Sequence, residues 1–181
     1  MTTMDTDHLT VADCARLEPR QLLEHLERTH HAFLRSELPR LSGLLRTVAA
    51  AHGTRHPELF AISDVFEELR LDLEPHLVKE ERVLFPLIRQ LLAAATLPSF
   101  ACGTIRNPIS VMTTEHDRTD DYLSQLRAAT GGYRTPDDAD ATYRSLFTGF
   151  AALEADLELH LHEENDVLFP AIVALEVSLG G

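Results

Sequence analysis

Along most of this chain apolar residues recur in alternating steps of three and four, the pattern of helices that turn one face inward. His31, Leu34, Leu38, Leu41, Leu45, Val48 and His52 form one such stripe, and Ile62, Phe66, Leu69, Leu73, His76, Glu80, Val83, Leu87 and Leu91 a second. Ile109, Met112, His116, Leu123 and Leu126 give a third; Leu146, Phe150, Leu153, Leu157, His160, Glu164, Val167 and Ala171 give a fourth. Turn residues punctuate them: Gly53 and Pro57, the Pro, Ser and Gly between Thr96 and Arg106, and Gly131-Gly132 within the stretch to Asp138. Asn107-Pro108 reads as the N-cap and first residue of the third helix. The pattern predicts an all-α fold, an antiparallel up-and-down four-helix bundle over residues 19–178, behind a flexible arm over residues 1–18. Pro39, Pro75 and Pro86 fall inside helices and are expected to bend them.

The inward stripes carry an internal repeat. Residues 76–86 (His-Leu-Val-Lys-Glu-Glu-Arg-Val-Leu-Phe-Pro) and 160–170 (His-Leu-His-Glu-Glu-Asn-Asp-Val-Leu-Phe-Pro) agree at seven of eleven positions. Each copy sets a histidine and a glutamate four apart, His76 with Glu80 and His160 with Glu164, one helical turn apart on one face. His31 precedes His76 by 45 residues and His116 precedes His160 by 44. Two hairpins of the same form therefore bring four histidines and two glutamates toward one level. His30 stands about 100° round from the stripe that holds His31. In the second hairpin the depths agree only if helix three runs on toward Tyr133 and helix four starts late, near Asp140.

Two carboxylates facing a core require compensating positive charge. No lysine or arginine stands at the stripe positions, so a metal is the expected compensator, with His31, His76, Glu80, His116, His160 and Glu164 as candidate ligands of a two-metal site. Four imidazoles, two carboxylates and no thiolate suit iron, manganese or zinc. If both glutamates bridge, each ion receives two histidines and two carboxylate oxygens, and a shared oxo or hydroxo group and an open position per metal remain. His52 is left out, because 21 residues of straight helix place it about 31 Å from His31. Glu81, Glu115, Asp117 and Asn165 flank the ligands as candidates to orient them.

Charge and composition narrow the partners. Sixteen basic against 29 acidic residues give a net charge of −13, which disfavours nucleic acid and anionic membranes. No apolar run approaches the roughly 20 residues that span a bilayer, and the first residues lack a signal-peptide pattern, so a cytoplasmic location is expected. Cys14 and Cys102 are too few for a disulfide framework and read as inert thiols.

At these residues the chain resembles the hemerythrin-like di-iron proteins, and most closely their repair-of-iron-centres branch. The resemblance covers roughly residues 20–177 and includes Arg35, Leu38, Pro39, His52-Gly53, His56-Pro57-Glu58-Leu59 and both Leu-Phe-Pro tails. It implies two iron ions, with His31, His76, His116 and His160 as terminal ligands and Glu80 and Glu164 as bridges. It further implies a role in nitrosative and oxidative stress defence, by iron–sulfur cluster repair through nitric oxide, dioxygen or peroxide chemistry or through iron donation to damaged iron–sulfur proteins. The alternative is a reversible O2 or NO binder or sensor without turnover. Oxygen-carrying hemerythrins have a histidine where Asp120 stands and an aspartate where Glu164 stands, which argues against a dedicated oxygen carrier. Proteins of the repair branch often carry an N-terminal domain with adjacent cysteines, and here only a short arm with Cys14 is expected in its place.

Overall fold

The computed structural model describes residues 16–181. Cys14 and most of the expected arm lie outside the described residues. Four long rods carry the fold. The first comprises α1 (Pro19–Leu26), a wide π-turn (Glu27–His31) and α2 (Ala32–His52); the second comprises α3 (Glu58–Lys79), a π-turn (Glu80–Leu84) and α4 (Phe85–Leu92). The third is α5 (Arg106–Ala129), and the fourth comprises α6 (Ala141–His162), a π-turn (Glu163–Leu168) and α7 (Phe169–Gly180). The first rod packs on the second and fourth, and the second also on the third. This is the all-α four-helix bundle that the hydrophobic pattern predicts, and no described helix is long and apolar enough to cross a membrane.

Local chemistry sets the helix ends. Asp140 accepts from Tyr143 N–H as the N-cap of α6, the late start that depth counting requires. Helix three does not run on to Tyr133; α5 ends at Ala129, and Gly131, Gly132 and Tyr133 turn the chain at positive φ. His116 thus lies 13 residues before its helix end and His160 19 residues after its helix start. The connection Thr130–Asp140 spans the difference, about six residues or 9 Å of rise. At its other end α5 begins earlier than Asn107-Pro108 suggests. The Glu176 carboxylate, reaching over from α7, accepts from the Thr104 hydroxyl and from the N–H of Ile105, the N-cap residue, one of the amides that the helix itself leaves without a partner.

Pro39 and Pro75 lie within continuous α-helix. Pro86, and its repeat counterpart Pro170, directly follow π-turns in which Phe85 N–H bonds to Glu80 C=O and Phe169 N–H to Glu164 C=O, five residues back. A proline has no N–H and its ring crowds the carbonyl four residues earlier; the widened turn relieves both. The extra residue rotates all that follows. Val83 and Ala171, inward by the α-helical count, are exposed, Val167 is half-buried, and Leu84, Ile88, Leu168 and Ile172 face the core instead.

The core comes in two parts. One cluster, including Leu38, Leu45, Phe66, Leu69, Leu126, Phe150 and Leu153, fills the bundle toward the two hairpin turns. The other, including Leu22, Leu26, Phe85, Ile88, Ile109, Leu168 and Phe169, fills the opposite end. The π-turns and the inward histidines and glutamates lie between them.

Candidate metal centre

Each rod delivers its polar side chains to this layer by helical register. His31 closes the first π-turn, Glu80 opens the second and Glu164 lies in the third, while His76, His116 and His160 lie in α3, α5 and α6. All six are buried, with exposures of 0–3%. They fall into two groups whose ligand atoms lie within 4.8 Å of one another: His31, Glu80, His160 and Glu164, and His76, Glu80, His116 and Glu164. Both glutamates belong to both groups. His52 lies elsewhere, at the hairpin-turn end, where its Nε2 is 3.1 Å from Asp140 Oδ2.

The imidazoles are oriented from behind. His31 Nδ1–H donates to Glu81 (2.8 Å), His76 Nδ1–H to Glu115 (2.9 Å) and His116 Nδ1–H to the Asn165 side-chain oxygen (2.9 Å). Arg35 pairs with Glu81 and Lys79 with Glu115, which keeps both carboxylates ionised as acceptors. Asp117, the other flanking acid, is exposed. With Nδ1 protonated, a neutral imidazole turns an Nε2 lone pair inward.

That polarity creates a conflict inside the layer. His76 Nε2 and His116 Nε2 face each other at 3.2 Å, so without a cation one of the two must carry a proton that the other accepts. His31 Nε2, His160 Nε2 and all four oxygens of Glu80 and Glu164 are buried without a hydrogen bond. Buried polar atoms are normally paired, so the layer has the form of a cation site.

Titration behaviour reflects the same crowding. Burial, then repulsion from Glu164, raises the Glu80 carboxyl; burial also acts against ionised Glu164, but His160 and His116 outweigh it and hold that carboxyl low. Burial lowers His31 to about 4, helped by His160. Burial acts the same way on His76, yet Glu80, Glu164 and Glu115 bring it up to about 9. A divalent cation bound among these groups would supply the positive charge that the protons supply in its place.

Residues 22–172 match the family described as Hemerythrin HHE cation binding domain. The chain belongs to that family. Within it, the chain is 30% identical to the iron-sulfur cluster repair protein YtfE of Dickeya chrysanthemi over 167 residues, 92% of this chain and 72% of the relative. The YtfE protein of Escherichia coli O157:H7 is 30% identical over 86% of this chain and 67% of its own length. The probable iron-sulfur cluster repair protein of Haemophilus influenzae is 29% identical over 84% and 65%. The chain thus spans about two thirds of the length of these relatives. A cation-binding hemerythrin fold accounts for a bundle whose middle layer is polar while both ends are apolar.

Sequence reasoning missed His25 and His30, both buried beside this layer. The α-helical count turns His30 away from the stripe, and the π-turn that brings it inside has no proline to mark it.

Proposed function

We propose that this chain is a non-haem di-iron protein of nitrosative and oxidative stress defence, acting in the repair of iron–sulfur clusters. In this reading His31 and His160 hold one iron, His76 and His116 the other, and Glu80 and Glu164 bridge them. The observation that carries it is the pair of inward-facing Nε2 atoms at 3.2 Å beside four buried carboxylate oxygens without hydrogen bonds, a donor set that a pair of cations would satisfy. Iron bound there supplies open coordination positions for nitric oxide, dioxygen or peroxide and a pool of metal that an apo-cluster protein can draw on. The protein's part is to fix three imidazoles through Glu81, Glu115 and Asn165, and to exclude bulk water with the apolar clusters on either side. The relatives named iron-sulfur cluster repair proteins support cluster repair as the task, and iron–sulfur proteins that have lost iron are the proposed partners.

Metal content and optical spectrum of protein purified without added metal test the site. Glu80→Ala and Glu164→Ala each lose the iron pair, whereas His52→Ala retains it; retention of the pair in both glutamate variants, or equal loss in all three, overturns the assignment. For the task, iron-loaded protein is mixed anaerobically with an apo-cluster acceptor. Stoichiometric transfer supports iron donation. Catalysed loss of nitric oxide or peroxide supports redox turnover. Reversible ligand binding with neither leaves a binder or sensor and refutes the repair reading.

A further inference from the structure

A second buried cluster lies beside the six-residue layer, and the di-iron reading leaves it without a role. His25 from α1, His30 from the first π-turn and Glu163 from the third each offer a ligand atom, all within 4.8 Å of one another. Their exposures are 6%, 2% and 0%. His25 Nε2 lies 3.6 Å from one Glu163 oxygen and His30 Nε2 lies 3.6 Å from the other. Those separations are long for hydrogen bonds. They are close to the roughly 3.4 Å between two donors that share a tetrahedral ion at about 2.1 Å.

Each of the two imidazoles has a polar partner behind it, as three of the four histidines of the main layer do. His30 Nδ1–H donates to Asp156 (2.9 Å), and His25 Nδ1 contacts the Thr29 hydroxyl at 3.3 Å. Each Nε2 is thereby turned toward Glu163, and the buried His30 Nε2 makes no hydrogen bond. The internal repeat provides a control. The counterparts of His30 and Glu163 in the other half are Glu115 and Lys79, which form an ion pair there. That half pairs a carboxylate with a lysine ammonium at these positions, and this half sets two imidazoles against the two oxygens of one carboxylate.

We propose that His25, His30 and Glu163 form a third cation site, taking a divalent first-row transition ion such as zinc or iron(II), with Asp156 positioning His30. The donor set is two imidazole nitrogens and a carboxylate without thiolate, which suits these ions and leaves a position for water. His30 neighbours His31, and Glu163 neighbours Glu164, so the third site shares two of its rods with the main layer. Its existence does not depend on what the main layer does.

The test is a titration of metal-free full-length protein with Fe2+ under anaerobic conditions and, separately, with Zn2+, counting bound ions after desalting. Wild type binds one equivalent more than His25→Leu, and Glu163→Gln reproduces the loss. The optical spectrum of the iron pair and the circular dichroism of both variants match wild type. Asp156→Asn weakens the additional equivalent about ten- to a hundredfold, as loss of a ligand's supporting carboxylate does. Identical stoichiometry in wild type and His25→Leu, with either ion, overturns the proposal and leaves His30 as a cation held between Asp156 and Glu163. Because the readout is a difference of one equivalent, it stands apart from failure of the di-iron reading, which Glu80→Ala reports.

Discussion

His160 differs from the other three histidines of the main layer in what lies behind it. Its Nδ1 is buried and makes no hydrogen bond, whereas its repeat counterpart His76 is backed by Glu115. The residue that replaces Glu115 in this half is His30, whose ring stacks on His160 at 5.4 Å with the planes 7° apart. Packing holds one imidazole and a charge-assisted hydrogen bond holds the other. Glu115 therefore carries a burden that nothing in the other half shares, and Glu115→Gln removes the charge while keeping the shape. The expected result is a fall in metal affinity of about ten- to a hundredfold, measured by chelator competition, with the fold intact by circular dichroism. An unchanged affinity would mean that packing alone orients His76 too. Four of the six candidate ligands were legible because a histidine and a glutamate four apart declare one helical face, and His31 and His116 because each lies on an apolar stripe at matching distance from its pair. His25 and His30 were not, since neither sits on a stripe drawn at 3.6 residues per turn.

At the scale of the element, the π-turns decide where that count fails. The stripes of α2 and α5 hold over their whole length, and every position that the pattern assigns inward is buried. In the second and fourth rods the count holds up to Glu80 and Glu164 and then slips by one residue, which is why Val83 and Ala171 are exposed while the candidate ligands are buried. The sequence marks the slip only through the repeated Leu-Phe-Pro, and proline alone is ambiguous because Pro39 and Pro75 leave their helices α-helical. The slip makes a stability prediction opposite to the α-helical one. Leu84 is 1% exposed and Val83 52%, so Leu84→Ala costs about 2–5 kcal/mol and Val83→Ala no more than about 0.5 kcal/mol. Thermal unfolding of metal-loaded protein reads the contrast at roughly 2–4 °C per kcal/mol for a chain of this length. Comparable losses from the two would return Val83 to the core.

For the whole molecule, the two hairpins are fastened at the end remote from the metal layer by side chains of their own turns. His56 Nε2 lies 3.0 Å from Asp138, Arg55 pairs with the same carboxylate at 3.2 Å, and His52 lies 3.1 Å from Asp140, the cap of α6. Glu58 also contacts His56 Nδ1, at 3.0 Å. Hydrogen bonds to Glu58 and Asp138 raise the His56 pKa, and the bond from His56 lowers that of Asp138. The signs follow from linkage. A histidine raised on folding adds stability that is complete below its ordinary value of about 6.5 and disappears as pH rises through the raised one. An aspartate lowered on folding adds stability that is complete above about 3.9 and disappears as pH falls through the lowered one. The fastening is thus strongest between roughly pH 4 and 6.5. The expected outcome is a melting-temperature gap between wild type and His56→Gln that is widest near pH 5 to 6 and narrows as pH rises above about 6.5. Because this end is screened from the main layer by an intervening apolar cluster, the variant's metal content matches that of wild type at each pH. A gap that stays constant with pH would show His56 acting through packing against Tyr143 instead of through charge.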